Sequence, residues 1–180
     1  MRAENLHVGV IGATGAVGVE LINVMFDRNF PVGELTLFAS ERSAGKTVET
    51  KYGTKTIALF SVEEAKQCDI VFLAVSGDFA KEFAPQIAEG ALVIDNSSAF
   101  RLNDDVPLIV PEINGDLAKT AMLIANPNCT TAIAAVALWP LHKAFGLKKV
   151  FVSTYQAASG AGQPGMNELR EGLAAGLEGK

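Results

Sequence analysis

Three groups of residues in this 180-residue sequence have types and spacing that could do chemistry. The first centres on Cys129, within Ala125-Asn126-Pro127-Asn128-Cys129-Thr130-Thr131. Residues 122–125 are a short apolar run that reads as a buried strand, and residues 130–145 carry apolar side chains at helical spacing. Cys129 then falls in the first turn of a helix, where unpaired backbone N–H groups and the positive end of the dipole favour thiolate. A thiolate so placed is a nucleophile suited to covalent catalysis on a carbonyl. A buried structural cysteine is the competing reading. The second group is Gly12-Ala13-Thr14-Gly15-Ala16-Val17-Gly18, between an apolar strand at 8–11 and a helical pattern at Val19, Leu21, Ile22 and Met25. A glycine-rich turn there lets backbone approach a pyrophosphate, whose charge rests on the helix N-terminus. Its spacing is GxxGxxG rather than GxGxxG, and a plain glycine turn is the alternative. The third is Arg101, closing the polar loop Asn96-Ser97-Ser98-Ala99-Phe100-Arg101. It could clamp a phosphate or carboxylate through two parallel bonds, or be an ordinary surface arginine.

The elements that must position these groups alternate between strand and helix. A second strand at 35–39 ends at Ser40-Glu41-Arg42-Ser43, where dinucleotide folds read the adenosine ribose. Glu41 suits a free 2′-OH and Arg42 a 2′-phosphate; two hydroxyls, Ser40 and Ser43, beside the arginine favour NADP. Residues 47–60 form a short excursion with strand character at 56–60, followed by a short helix at 62–66. The continuous apolar run 69–75 reads as a parallel strand covered on both faces, ending at Ser76-Gly77, where a cofactor crosses the carboxyl ends of the strands. A helix at 81–89 stopped by Gly90, a strand at 91–95 and a loop at 110–114 follow. The cysteine helix ends at Gly146. Residues 147–157 then read as a long strand leading to a second glycine-rich loop, Gln156-Ala157-Ala158-Ser159-Gly160-Ala161-Gly162, suited to close approach of a ligand, with a final helix at 167–177. This order predicts an α/β, doubly wound (Rossmann-type) sheet with right-handed crossovers.

Composition narrows the function. The net charge is −5 with Lys and Arg scattered, so no basic patch for nucleic acid is expected. No uninterrupted apolar stretch of about 18 residues exists to span a membrane, and the N-terminal Met1-Arg2-Ala3-Glu4-Asn5 has no signal-peptide pattern. Two cysteines, Cys68 and Cys129, make no disulfide framework and suit a reducing cytoplasm. Cys68, at a strand edge with no partner nearby, reads as inert packing. No metal site is expected.

A nucleotide-binding turn, an activated cysteine and an anion-binding arginine point to one reaction class, in which a thiolate attacks an aldehyde, hydride leaves to a nicotinamide, and phosphate cleaves the thioester. The segments 12–18, 40–43, 95–101 (Asp-Asn-Ser-Ser-Ala-Phe-Arg), 126–131 (Asn-Pro-Asn-Cys-Thr-Thr) and 155–162 (Tyr-Gln-Ala-Ala-Ser-Gly-Ala-Gly) resemble those of the aspartate-semialdehyde dehydrogenase family, in that order and over nearly the whole chain. The resemblance implies an NADP-binding domain over 1–128 and the start of an α+β catalytic and dimerisation domain over 129–180. It implies a thioester at Cys129, orientation of the substrate by Gln156, and a phosphate or substrate oxyanion held by Arg101 and Asn128. Gly12, Thr14, Gly15, Ala16 and Val17 would meet the pyrophosphate, Ser40, Arg42 and Ser43 the 2′-phosphate, and Ser159-Gly160 the nicotinamide end. The substrates would be aspartyl phosphate, or aspartate semialdehyde with phosphate, in the route to lysine, threonine and methionine, in a homodimer or homotetramer. The family's acid/base histidine and second substrate arginine lie in the later half of a longer chain. Here only His7 and His142 exist, and His142, 13 residues beyond Cys129 on one helix, is roughly 20 Å away. Arg170 is a poor stand-in for the arginine, so the sequence reads as an N-terminal fragment. N-acetyl-gamma-glutamyl-phosphate reductase shares the chemistry, but Thr130-Thr131 and Ala99-Phe100-Arg101 fit the aspartate enzyme better. A silent NADP-binding fragment is the non-enzymatic alternative.

Overall fold

The computed structural model describes residues 5–179; Met1-Arg2-Ala3-Glu4, which carry most of the N-terminal reading above, and Lys180 lie outside the described residues. In chain order the elements are β1 (Leu6–Ile11), α1 (Ala16–Asp27), β2 (Val32–Ala39), β3 (Thr47–Thr50), β4 (Gly53–Leu59), α2 (Val62–Ala65), β5 (Ile70–Leu73), α3 (Gly77–Ile87), β6 (Leu92–Asp95), α4 (Pro111–Asn114), β7 (Leu123–Ala125), α5 (Cys129–Phe145) and α6 (Gly162–Leu177). The strands form one sheet in the order β3-β4-β2-β1-β5-β6-β7. All pairings are parallel except the β3–β4 hairpin. From β1 the chain moves outward to β2 and β4, then returns to β5 on β1's other side. That reversal opens a crevice at the carboxyl ends of β1 and β5, the expected ligand position in such a sheet.

Helices cover both faces. α1 buries Gly18, Ile22 and Met25, at positions i, i+4 and i+7, against Val8, Val10, Leu35 and Leu37. α3 buries Ala80, Ala84 and Ile87 at the same spacing against Val71, Leu73 and Val93 on the opposite face. Each large apolar side chain removed from water this way contributes about 1.5–3 kcal/mol. The run 8–11 of β1 is wholly buried, as a central strand covered on both faces demands.

Several boundaries differ from the sequence reading. The excursion at 47–60 is an antiparallel hairpin whose second strand also pairs in parallel with β2. α3 starts at Gly77 rather than 81, because the Ser76 hydroxyl accepts from the Phe79 N–H and caps it. Residues 110–114 are a helical turn, not a loop. Pro111 supplies the first helical position, and the Asn114 side chain accepts from Val110 N at 2.8 Å and donates to Leu108 O at 2.9 Å. α6 begins at Gly162 rather than 167, continuing from a 3-10 turn at Ala158–Ala161. The strand expected over 147–157 does not form. A β-strand needs a neighbour's ladder, and no described strand lies beside this exposed segment. Among the described residues, nothing from 129 to 179 is buried.

Candidate active site

The turn after β1 is shaped by backbone geometry. Gly12 has φ +86°, and a Cβ there would stand 2.2 Å from Ala74 O, so only glycine lets the turn pass this close to the end of β5. Gly15 is the α1 N-cap, and a Cβ on it would meet only Gly12 O at 3.4 Å, so its outer side is open. No side chain caps α1, which leaves its first amides available to an anion arriving at that open side.

Three adjoining cavities follow the crevice. The first, about 430 Å³, is lined by Gly12 and Thr14, by Ser40, Arg42 and Ser43, and by Phe60 and Phe79. Arg42 is exposed and makes no hydrogen bond or ion pair within the described residues. The second, about 560 Å³, takes Gly15, Ala16 and Val17 from the α1 turn, Ser76 and Gly77 from α3, and Arg101 and Asn128 from the loops beyond β6 and β7. The third, about 570 Å³, brings together Cys129, Gln156, Ser159 and Gly160, facing Val17, Glu20, Leu21 and Val24 of α1. Val75 borders the first two, while Ala16, Val17, Asn96 and Gly160 border the last two. Every site residue proposed from sequence lines one of these three adjoining cavities, with Ser40, Arg42 and Ser43 on the first and Cys129 with Gln156 on the third.

Cys129 is exposed and is the first residue of α5. Asn128 caps that helix, its Oδ1 accepting from Thr130 N at 3.0 Å, and its Nδ2 donates to Gln156 Oε1 at 3.4 Å. The residue that caps the cysteine helix is thus bonded to Gln156. Cys68 is buried, and burial pushes its thiol up to about 11, with Glu34 and Asp69 adding to the rise. The expectation that it has no partner is corrected, since His7 Nε2 lies 3.6 Å from its sulfur and 2.8 Å from Thr36 Oγ1. His7 sits on β1 at the amino end of the sheet, opposite the crevice. His142 stacks on Trp139 in the last turns of α5 and accepts from Leu147 N, so it too is remote from Cys129.

Arg101 departs from the free clamp expected of it. Its Nε donates to Asn126 O at 2.9 Å and its Nη2 to Asn96 O at 2.8 Å. Two of a guanidinium's five N–H donors are thereby engaged, and the residue lines the second cavity. Sequence reasoning passed over Asn96 and Asn126, whose side chains bond to each other at 2.8 Å. The available signal was an asparagine directly after each of two neighbouring apolar strands. It also passed over Glu20, Leu21 and Val24 as site residues, although they follow Val17 on one α1 face at i+3, i+4 and i+7. Among the described residues, no cluster of three or more His, Cys, Asp or Glu side chains is placed to hold a metal. None of the described helices is long and apolar enough to cross a membrane.

Comparison with known proteins gives the family. Residues 7–121 match the family model for the semialdehyde dehydrogenase NAD binding domain, and residues 138–179 that for the semialdehyde dehydrogenase dimerisation domain. The aspartate-semialdehyde dehydrogenase of Synechocystis is 46% identical over 177 residues, which are 97% of this chain and 52% of that protein. The crystal structure of aspartate semialdehyde dehydrogenase II from Vibrio cholerae, complexed with ASA, superposes with a TM-score of 0.87 at 42% identity, covering 98% of this chain and 54% of that one. A Candida albicans aspartate semialdehyde dehydrogenase structure with NADP superposes at 0.63 and 27% identity, covering 80% and 48%. The chain spans about half the length of the curated relatives it matches. With the dinucleotide-type crevice, the family's two domain matches and relatives this similar, the chain belongs to the semialdehyde dehydrogenase family.

Proposed function

We propose that the chain carries the cofactor-binding part and the thiol nucleophile of an NADP-dependent, phosphorylating aspartate-semialdehyde dehydrogenase. Residues 1–128 bind the dinucleotide, and residues 129–180 open the catalytic and dimerisation domain. The observation that carries this reading is the placement of Cys129 and Gln156 in one cavity with the α1 turn and Ser159-Gly160.

In the reducing direction, the Cys129 sulfur attacks the acyl carbon of aspartyl 4-phosphate; the S–C bond forms, the C–O bond to phosphate breaks, and inorganic phosphate leaves. Gln156, joined to Asn128, orients the acyl group. Asn128 and the remaining donors of Arg101 take the phosphate or the developing oxyanion. When bound, the reduced dinucleotide supplies hydride to the thioester carbon. Breaking of the S–C bond then releases the semialdehyde and returns the thiolate. The open α1 amides take the pyrophosphate, Ser76 and Gly77 border its path, and Ser159-Gly160 border the nicotinamide end. Arg42, exposed between Ser40 and Ser43, pairs with a 2′-phosphate, which favours NADP over NAD. The Candida relative's NADP complex supports that choice. Two unpaired cysteines and a biosynthetic reaction toward lysine, threonine and methionine fit the cytoplasm, and the match at 138–179 fits assembly as a homodimer or homotetramer.

The test is direct. The protein is exposed to aspartyl 4-phosphate without cofactor, quenched in acid and mapped by peptide mass. An acyl group on Cys129, absent from Cys68 and from the Cys129→Ser variant, is expected. Acylation by N-acetylglutamyl phosphate but not by aspartyl phosphate would transfer the chain to the other reductase, and acylation by neither would defeat the nucleophile assignment.

A further inference from the structure

The loop after β6 and the turn after β7 are tied by bonds that the proposed chemistry does not use. Asn126 Nδ2 donates to Asn96 Oδ1 at 2.8 Å, and Asn126 N to Asp95 O at 2.8 Å. Asn96 Nδ2 donates in turn to Leu73 O at 3.0 Å, at the end of β5. Arg101 spans the same two segments, one donor on Asn96 O and one on Asn126 O. The β6 side of the joint is itself rigid, because the buried Asp95 carboxylate accepts from Ser97 N at 2.9 Å and Ser97 Oγ at 2.8 Å. Asn96 lines both the second and the third cavity, and Cys129 follows Asn126 by three residues.

We infer that Asn126, with Asn96 and the Arg101 bracket, is a positioning residue that fixes the cysteine turn to the strand end bordering the cofactor track. β7 is an edge strand of three residues with one strand neighbour; on its outer side Ala125 alone is paired, its N donating to Pro107 O at 3.0 Å and its O accepting from Ile109 N at 3.1 Å, and neither ladder runs on past Asn126 into the cysteine turn. The side-chain lock supplies the missing constraint. It also sets the orientation of Arg101, since a guanidinium held on two carbonyls at Nε and Nη2 presents its other donors in a fixed direction. This inference rests on the reading of Cys129 as the nucleophile beside the dinucleotide track.

The experiment combines Asn126→Ala, Arg101→Lys and the double variant, read by amide hydrogen exchange over 126–130 and by the iodoacetamide alkylation rate of Cys129. Both groups hold the same two segments, so their effects should be non-additive. Each single change is expected to speed exchange about three- to tenfold, the range for losing a partly exposed hydrogen bond, with the double variant little faster than either. Exchange over 70–73 and 92–95 should stay at the wild-type rate, showing that the sheet is intact. Asn126→Asp keeps the side chain's size but sets an acceptor against Asn96 Oδ1, and should match or exceed Asn126→Ala. Wild-type exchange in Asn126→Asp, or strictly additive single effects, would overturn the lock. A Cys129 that alkylates no faster than Cys68 in the wild-type protein would instead defeat the underlying nucleophile reading.

Discussion

Alkylation of the two cysteines separates the nucleophile from the packing residue, and the separation can be sized. Burial raises the Cys68 thiol to about 11. Against its ordinary value of 9.0, that leaves about 100-fold less thiolate at neutral pH. Cys68 is also only 3% exposed, its sulfur close to Gly9 and its side chain in one core cluster with Phe38 and Val71, so reagent must await a local opening. Cys129 is exposed at the head of α5 and faces a cavity. With iodoacetamide at pH 7.5, Cys129 should be modified on the time scale of free cysteine, and Cys68 at least about 100-fold more slowly. Quenched time points, proteolysis and mass spectrometry give both rates from one sample. In denaturant the two rates should converge, because the burial that separates them is gone. Native Cys68 reacting within tenfold of free cysteine would refute the reasoning, and so would a Cys129 that lags behind it.

Arg42→Ala should weaken NADP binding about 10- to 150-fold, the cost of a charge-assisted contact of about 1.5–3 kcal/mol, with little change for NAD; calorimetric titration of both cofactors decides it. Gly12→Ala should destabilise the fold by more than about 3 kcal/mol in denaturant titration, since positive φ and contact with Ala74 O penalise it together, whereas Gly15→Ala should leave stability near wild type. The raised Cys68 thiol stabilises the native state fully below its unfolded value of about 9, and that stability is lost as pH climbs to about 11. Two pH units correspond to about 2.7 kcal/mol at most, and Cys68→Ala should flatten that part of an alkaline stability profile. Assayed alone, the 180-residue polypeptide should turn over aspartate semialdehyde at least about 10²-fold more slowly than a full-length relative, because His7 and His142 are both remote from Cys129.

The sheet was legible because its central strands are nearly continuous apolar runs, and β1, β5 and β6 overlap the segments so read to within two residues at either end. The site residues were legible as strand-end turns, since a doubly wound sheet gathers such turns on one edge. Partnership between side chains was less visible. Arg101 looked like a free clamp, and nothing local to residues 96–101 says that two of its donors face carbonyls 5 and 25 residues away in sequence. Cys68 likewise gains its histidine neighbour only when β1 and β5 lie side by side. The segment 147–157 shows the opposite error, since Val150, Phe151, Val152 and Tyr155 favour a strand, yet propensity cannot form a ladder without a neighbour. Residues 110–114 turned on Pro111, which reads as a breaker but here starts a helix.

The absence of buried residues between 129 and 179 bears on cooperativity. The denaturant slope and the heat-capacity change of unfolding scale with the surface newly exposed, and this segment has little to expose. A melting curve of the chain therefore reports on the sheet and its α1 and α3 layers, while α5 and α6 contribute helical signal without steepness. Pro127 is the last buried residue before that change, and Cys129 stands two positions beyond it. The nucleophile thus sits on a seam. Its backbone is held from one side by the cooperative unit, and what settles onto the other side sets its surroundings without having to disturb the sheet.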